Sequence, residues 1–325
     1  MEGTLPEGRV DLVQEVPETV TQDLRYRTAG DEKGRQVALR PLMSLILVFP
    51  LAVSAASQIG ATRDEGDALV RRALANEVRA ATDLRHPMRY RLRKQSPRLT
   101  STKEICETKD GAVARLIAIN DAPLSPADEQ REQARLNQLL GDPGKQRHRK
   151  QAETDDAARA MKVLRALPEA FLYKDAGTVD SPTGKVEKFT FRPNPNFNPP
   201  DLETQALTGM AGEVWVDVAQ ERVARLEGRL QEDVDFGWGI LGQLKRGGWI
   251  VLEQADIGDH QWRIVHLKMS MSARVVFRTK SFDTTEDATG FSPVPGNLRY
   301  QQAIAILRGN GANLGEGDEA TASKR

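Results

Sequence analysis

One cysteine, four histidines and 5% aromatic residues stand in a chain of 325, and each scarcity excludes something. Cys106 has no intramolecular partner, so no disulfide is available and cysteine gives no reading of compartment. At a strand-like position a lone thiol is expected to act as a small buried hydrophobe. The histidines are scattered: His86 precedes a proline and His148 sits in a basic cluster. His260 and His266 share strand parity but lie too far apart along one strand to bind a common metal without ligands from elsewhere. No metal site is expected. The chain contains no H-E-x-x-H, no Walker A loop, no G-x-S-x-G and no paired-cysteine zinc signature. We therefore expect no catalytic residue, no cofactor and no enzymatic activity. Charge of either sign is also missing in net terms, because 46 basic residues balance 46 acidic ones. Nucleic-acid binding leans on a net basic surface, so no nucleic-acid partner is expected.

One formal motif needs its context. Gly237-Trp238-Gly239-Ile240-Leu241-Gly242 fits the dinucleotide pattern G-x-G-x-x-G, which requires a strand before it and a helix after it. Here an acidic stretch, "QEDVDF", precedes the glycines, and Gly247-Gly248 cuts off any helix within a few residues. The segment is better read as a mobile apolar loop at a sheet edge, with Trp238, Ile240 and Leu241 able to cover a neighbouring surface.

What the chain does have is 39% hydrophobic residues, enough for a sizeable core, and one long apolar run. The run, Leu42 to Val53, is broken only by Ser44 and Pro50, follows Arg40, and ends in Val53-Ser54-Ala55. Small residues at those last positions suit a signal peptidase, and the run is shorter than the ~20 residues needed to cross a bilayer. Residues 37–55 are accordingly expected to be a signal peptide cleaved after Ala55, delivering a periplasmic protein. Because a signal belongs at the N-terminus, residues 1–36 are read as a disordered extension or as upstream sequence, with translation starting near Val37. The residue directly after the cleavage point is Ala56 and not a cysteine, so no lipid modification of the mature chain is expected.

Beyond this, "DEGDALVRRALANEVRAATDL" spaces Leu69, Ala73, Val78 and Ala81 as one face of an amphipathic helix. "MRYRLRKQS" and "LTSTKEICETKDGAVARLIAIND" read as strands, with a turn at Lys109-Asp110-Gly111. Two helices are expected, one from Ser125 to Gly141 and one from Thr154 to just before Pro168, joined by a solvated basic linker over 141–153. From Val186 onward strands dominate, with turns at Gln220-Glu221, Gly247-Gly248 and Gly258-Asp259. The fold class is α+β, built on an antiparallel sheet. In "GEVWVDVAQERVARLEGRL", residues 212–230, Val214, Val216 and Val218 are expected on one apolar face, continued by Leu226 and Leu230 on the next strand. Asp217, Arg225, Glu227 and Arg229 fall on the other face, and Trp215 is placed under a helix. Residues 309–325 are glycine-rich and are expected to be a disordered tail.

The same segment, through Gly212, Val214, Trp215, Val216, Asp217 and Arg225, resembles the G-x-(V/L)-W-(V/I)-D, turn, Arg-strand pattern of the periplasmic lipoprotein-carrier superfamily, the outer-membrane lipoprotein-sorting proteins and their relatives. The resemblance implies a single domain over residues 64–308: a curved antiparallel sheet forming an unclosed β-barrel, with helices over the concave side. It further implies a non-catalytic carrier that holds acyl chains in an apolar groove, with a lipid or an acylated protein as partner. Val216, Leu226, Leu230, Trp249 and Val251 are the expected groove residues, and Trp238, Ile240 and Leu241 the expected lid. The other reading is a periplasmic sensory or structural module on the same fold that binds a protein or a membrane surface. A filled concavity favours the module and an open apolar groove the carrier.

Overall fold

The computed structural model describes residues 56–181, 184–236, 242–275 and 278–309, with side chains from residue 66 onward, those of 275 and 278 excepted. The expected signal segment and its upstream extension, the expected lid residues Trp238, Ile240 and Leu241, and the expected tail from 310 lie outside the described residues.

Within these bounds the architecture is α+β, as expected. Thirteen strands form one antiparallel sheet in the order β4-β3-β2-β1-β13-β12-β11-β8-β7-β6-β5, with β10 pairing to β12 and β9 to β10. The end strands β4 and β5 do not pair with each other, so the sheet is not closed into a barrel. The strands are β1 (Met88–Gln95), β2 (Thr100–Cys106), β3 (Val113–Ile119), β4 (Ala122–Pro123), β5 (Phe171–Ser181), β6 (Gly184–Pro193), β7 (Met210–Asp217), β8 (Arg222–Leu230), β9 (Val234–Phe236), β10 (Gly242–Leu244), β11 (Trp249–Asp256), β12 (Trp262–Val275) and β13 (Arg278–Pro293). The helices are α1 (Ala56–Thr82), α2 (Pro126–Gly141), α3 (Pro143–Ala170), α4 (Leu202–Gln205) and α5 (Tyr300–Leu307).

The middle of the chain departs from its sequence reading. The basic segment expected to be a linker is the first half of α3. Asp142 starts this helix by accepting hydrogen bonds from the Gly144 and Lys145 amides at 2.9 and 3.3 Å, and Pro143 occupies the first turn, where no amide proton is needed. Pro168 does not stop the helix, which runs on to Ala170. One strand had no clear signal: β5 begins directly after that helix.

Helix α1 buries Leu69, Val70, Ala73, Leu74 and Glu77, so its inward stripe is rotated from the expected one and Ala81 is exposed. The rotation follows from a buried ion pair. Glu77 accepts from Arg222 Nε and a terminal Arg222 nitrogen at 2.8 and 2.9 Å and from the Val223 amide at 2.9 Å, which pins α1 to the start of β8. Above β5 to β8, α1 and the C-terminal part of α3 (Val163, Leu164, Leu167, Ala170) complete the main core with Phe189, Val214, Val216, Val223 and Leu230. Gly212 in this region is obligatory for close strand approach, since a Cβ there would lie 1.9 Å from the Glu227 carbonyl oxygen.

A second core joins α2 and α5 to β2 and β3 around Cys106, Val113, Leu136, Ala303, Ile304 and Leu307. The edge of β3 is closed by side chains: Glu132 accepts from the Leu116 amide at 2.9 Å and Arg135 donates to the Ala114 carbonyl at 2.6 Å. A row of unpaired strand groups is thereby hidden from other chains.

Candidate functional site

Residues directly opposite each other on antiparallel strands project from the same face, so register assigns the two sides of the sheet. Val214 pairs with Leu226, Leu226 with Leu252, Leu252 with Leu267, Leu267 with Glu286, and Glu286 with Lys94. This row is the inner, helix-covered face, because Val214 belongs to the main core. Neighbouring rows add Ile250, Met269 and Thr284, and then Ala288, Leu92, Lys103 and Leu116.

The expected groove residues do not all belong to this face. Val216 and Leu230 are inside, at 0 and 2% exposure, and Leu226 packs against them. Trp249 pairs with Arg229 and Val251 with Glu227, so both point to the opposite, outer face. The strand "WIVLE" is apolar on both sides, and its parity could not be read from composition; Ile250 and Leu252 are the inward residues. Trp215 is also outside rather than under a helix, with Lys188 and Arg225 lying 5.8 and 5.5 Å from its ring, and Lys268 approaches the Trp249 ring at 5.4 Å. Asp217 was expected in water but is 2% exposed and accepts from the Gln220 amide at 2.8 Å, while Val218, beyond the strand, is exposed.

Val216, Leu226 and Leu230 are occupied by the protein's own helices. Further along the inner face the situation differs. Leu92, Leu252, Leu267, Met269 and Phe282 are half-buried and belong to neither core. Helix α3 passes this region tethered at both ends. At its start, Gln146 donates to the Asp110 carbonyl at 2.9 Å, Lys150 donates to the Lys109 carbonyl at 2.7 Å and Glu153 accepts from the Ala112 amide at 3.0 Å; at its end Leu164, Leu167 and Ala170 enter the main core. Between the anchors, residues 154–158 are all exposed. Five consecutive residues go more than once around a helix of 3.6 residues per turn, so no side of α3 is covered there. The helix is a strap standing over a bare strip of sheet.

The strip changes polarity along its length. Tyr90, on the same side of β1 as Leu92, has its hydroxyl pKa raised, chiefly by burial and then by the Glu107 and Glu153 charges. Burial also raises the Glu107 carboxyl, which accepts from the Met88 amide at 2.9 Å. Lys94 pairs with Glu286 at 2.8 Å. Lys103 lies between Leu92 and Leu116 in register, and its pKa is lowered, first by desolvation and then by the Arg135, Arg149 and Lys94 charges. Lys103 is nonetheless exposed, so its ammonium reaches water. The Thr284 hydroxyl, on the Met269 row, is buried with no hydrogen-bond partner.

Other features carry less chemistry. Cys106 is fully buried and its thiol is pushed up to about 11 by burial, so it is not a poised nucleophile. His260 is exposed, and His266 shares a 2.7 Å contact with Asp287 on the outer face. Among the described residues no group of histidine, cysteine and carboxylate side chains could hold a metal ion. Surface depressions of about 470 Å³ at Arg79–Arg85 and about 300 Å³ at Arg89, Glu104 and Ser292 are polar-lined and shallow. No described helix is long and apolar enough to cross a membrane.

The fold and its inner strip define an open antiparallel sheet with a helical strap across its concave side. No family model matches the chain, and no curated protein matches it. Among solved structures the chain aligns with a "putative outer membrane lipoprotein-sorting protein domain" from Vibrio parahaemolyticus, at 10% identity and a TM-score of 0.30, over 72% of this chain and 97% of that one. This is a weak structural relationship, and it carries no argument about function.

Proposed function

We propose that this protein is a non-catalytic carrier that holds an acyl chain or a similar apolar ligand against the inner strip of β11, β12, β13 and β1, beneath α3. The observation that supports this reading is the uncovered stretch of α3 above half-buried Leu92, Leu252, Leu267 and Met269. Moving a chain from water onto such a surface is favourable by about 0.8 kcal/mol per buried CH₂, so shape and apolar character suffice without chemistry. The groove is displaced from Val216, Leu226 and Leu230, which the protein covers itself. We further propose that the carrier acts in the periplasm, on the strength of the apolar run Leu42 to Val53 and the small residues that follow it. The test is fluorescence of the neutral apolar probe 1-aminoanthracene with the full chain. Leu267→Glu, on the inner face, is expected to abolish uptake, and Val251→Glu, one strand away on the outer face, to preserve it. Absence of uptake, or equal loss in both variants, contradicts the reading.

The protein-interaction reading rests on a different surface. The outer face presents half-buried Trp215, Trp249 and Val251 beside Lys188, Arg225 and Lys268, with no described helix packed over them. It gains if the probe is not taken up.

A further inference from the structure

The concave strip is apolar at β11 and β12 and cationic at β2. Across the inner face, Leu252 and Leu267 are followed by the Lys94–Glu286 pair on β1 and β13 and then by Lys103 on β2. The cations around Lys103 are satisfied elsewhere: Lys94 by Glu286 at 2.8 Å and Arg135 by Glu132 at 2.6 Å. Among the described residues no carboxylate lies within ion-pair distance of Lys103 itself. Its cross-strand neighbours on the same face are two leucines, Leu92 and Leu116. Lys103 is exposed, so its ammonium stands in water without a carboxylate partner at the polar end of the apolar strip, and it has no role in either core.

Resting on the carrier reading, we propose that Lys103 anchors the anionic head, a carboxylate or phosphate, of a single amphiphile whose chain lies along Leu92, Leu252, Leu267 and Met269. The anion supplies the counter-charge that the fold leaves out, and the chain covers the strip that the helices leave bare.

The lowered Lys103 pKa, caused first by desolvation and then by Arg135, Arg149 and Lys94 against the opposing charge of Glu132, points to the net positive surroundings an anion would meet.

The experiment uses the full chain and displacement of 1-aminoanthracene by three probes: dodecyl phosphate, dodecanol and inorganic phosphate. Wild type is expected to bind dodecyl phosphate about fivefold tighter than dodecanol, the effect of one solvent-exposed ion pair. Lys103→Met is expected to bind dodecanol as wild type does while losing the preference, and Lys103→Arg to retain it. Unchanged dodecanol binding shows that the methionine variant is folded. Equal affinities in wild type, or a preference that survives in Lys103→Met, overturn the anchor and leave the carrier standing. Failure of every 12-carbon probe to displace overturns both. If inorganic phosphate competes with dodecyl phosphate at comparable concentration, the head alone suffices, and the site belongs to a soluble anion instead.

Discussion

Strands β7 and β8 bury Val214, Val216, Val223 and Leu230 to 3% exposure or less, whereas Leu252, Leu267 and Met269 on the adjoining strands β11 and β12 remain half-exposed on the same face. Both regions are apolar, so the strands do not explain the difference. The helix above them does. Where α3 carries Val163, Leu164 and Leu167 it docks, and where it carries "ETDDAARA" it has no large apolar side chain with which to dock. Helical stability comes mainly from packing of an apolar face. The anchored ends of α3 therefore hold a middle that does not pack. In this chain the cover of a sheet is written in the helix that crosses it, and a bare strip is specified as firmly as a filled one.

The contrast can be broken most forcefully at its filled end. Glu77→Ala leaves Arg222 buried without a counter-charge and the Val223 amide without an acceptor, and is expected to cost about 3–5 kcal/mol of unfolding free energy in urea titration. Leu74→Ala in the main core is expected to cost about 2–5 kcal/mol, against about 1 kcal/mol for Leu267→Ala in the strip. Equal costs would mean that the strip is packed like a core. Gly212→Ala must push β7 from β8 and is expected to cost about 1–3 kcal/mol, again confined to the filled half.

Lys103→Met has the smallest expected effect and the opposite sign. The folded-state pKa of Lys103 lies below its ordinary 10.5, so as pH rises toward 10.5 the unfolded chain binds more protons and wild-type stability rises. Removing the charge is expected to raise the unfolding midpoint of the ligand-free protein at neutral pH and to flatten that alkaline slope. A lower midpoint with an unchanged slope would show that Lys103 stabilises the empty fold.

Much of the architecture was legible because it rests on local pattern. Alternation in "MRYRLRKQS" separates Met88, Tyr90 and Leu92 from Arg89, Arg91 and Arg93, and it places β1 and, in retrospect, one wall of the strip. The site was less legible for two physical reasons. Trp249 and Val251 stand on a strand apolar on both faces, where only cross-strand register assigns the side. The occupancy of Val216, Leu226 and Leu230 depends on helices distant in sequence, α1 at residues 56–82 and the end of α3 near 170. Lys103 could not be singled out either, since only cross-strand register sets it between Leu92 and Leu116.

The most direct test of the account is photolabelling of the full chain with a 12-carbon alkyl diazirine, followed by mapping of the modified residues. The account predicts labels on Leu92, Leu252, Leu267 and Met269, and on the α3 stretch 153–160 above them. Labels on Trp215, Trp249 and Val251 instead would place any apolar ligand on the outer face and contradict it.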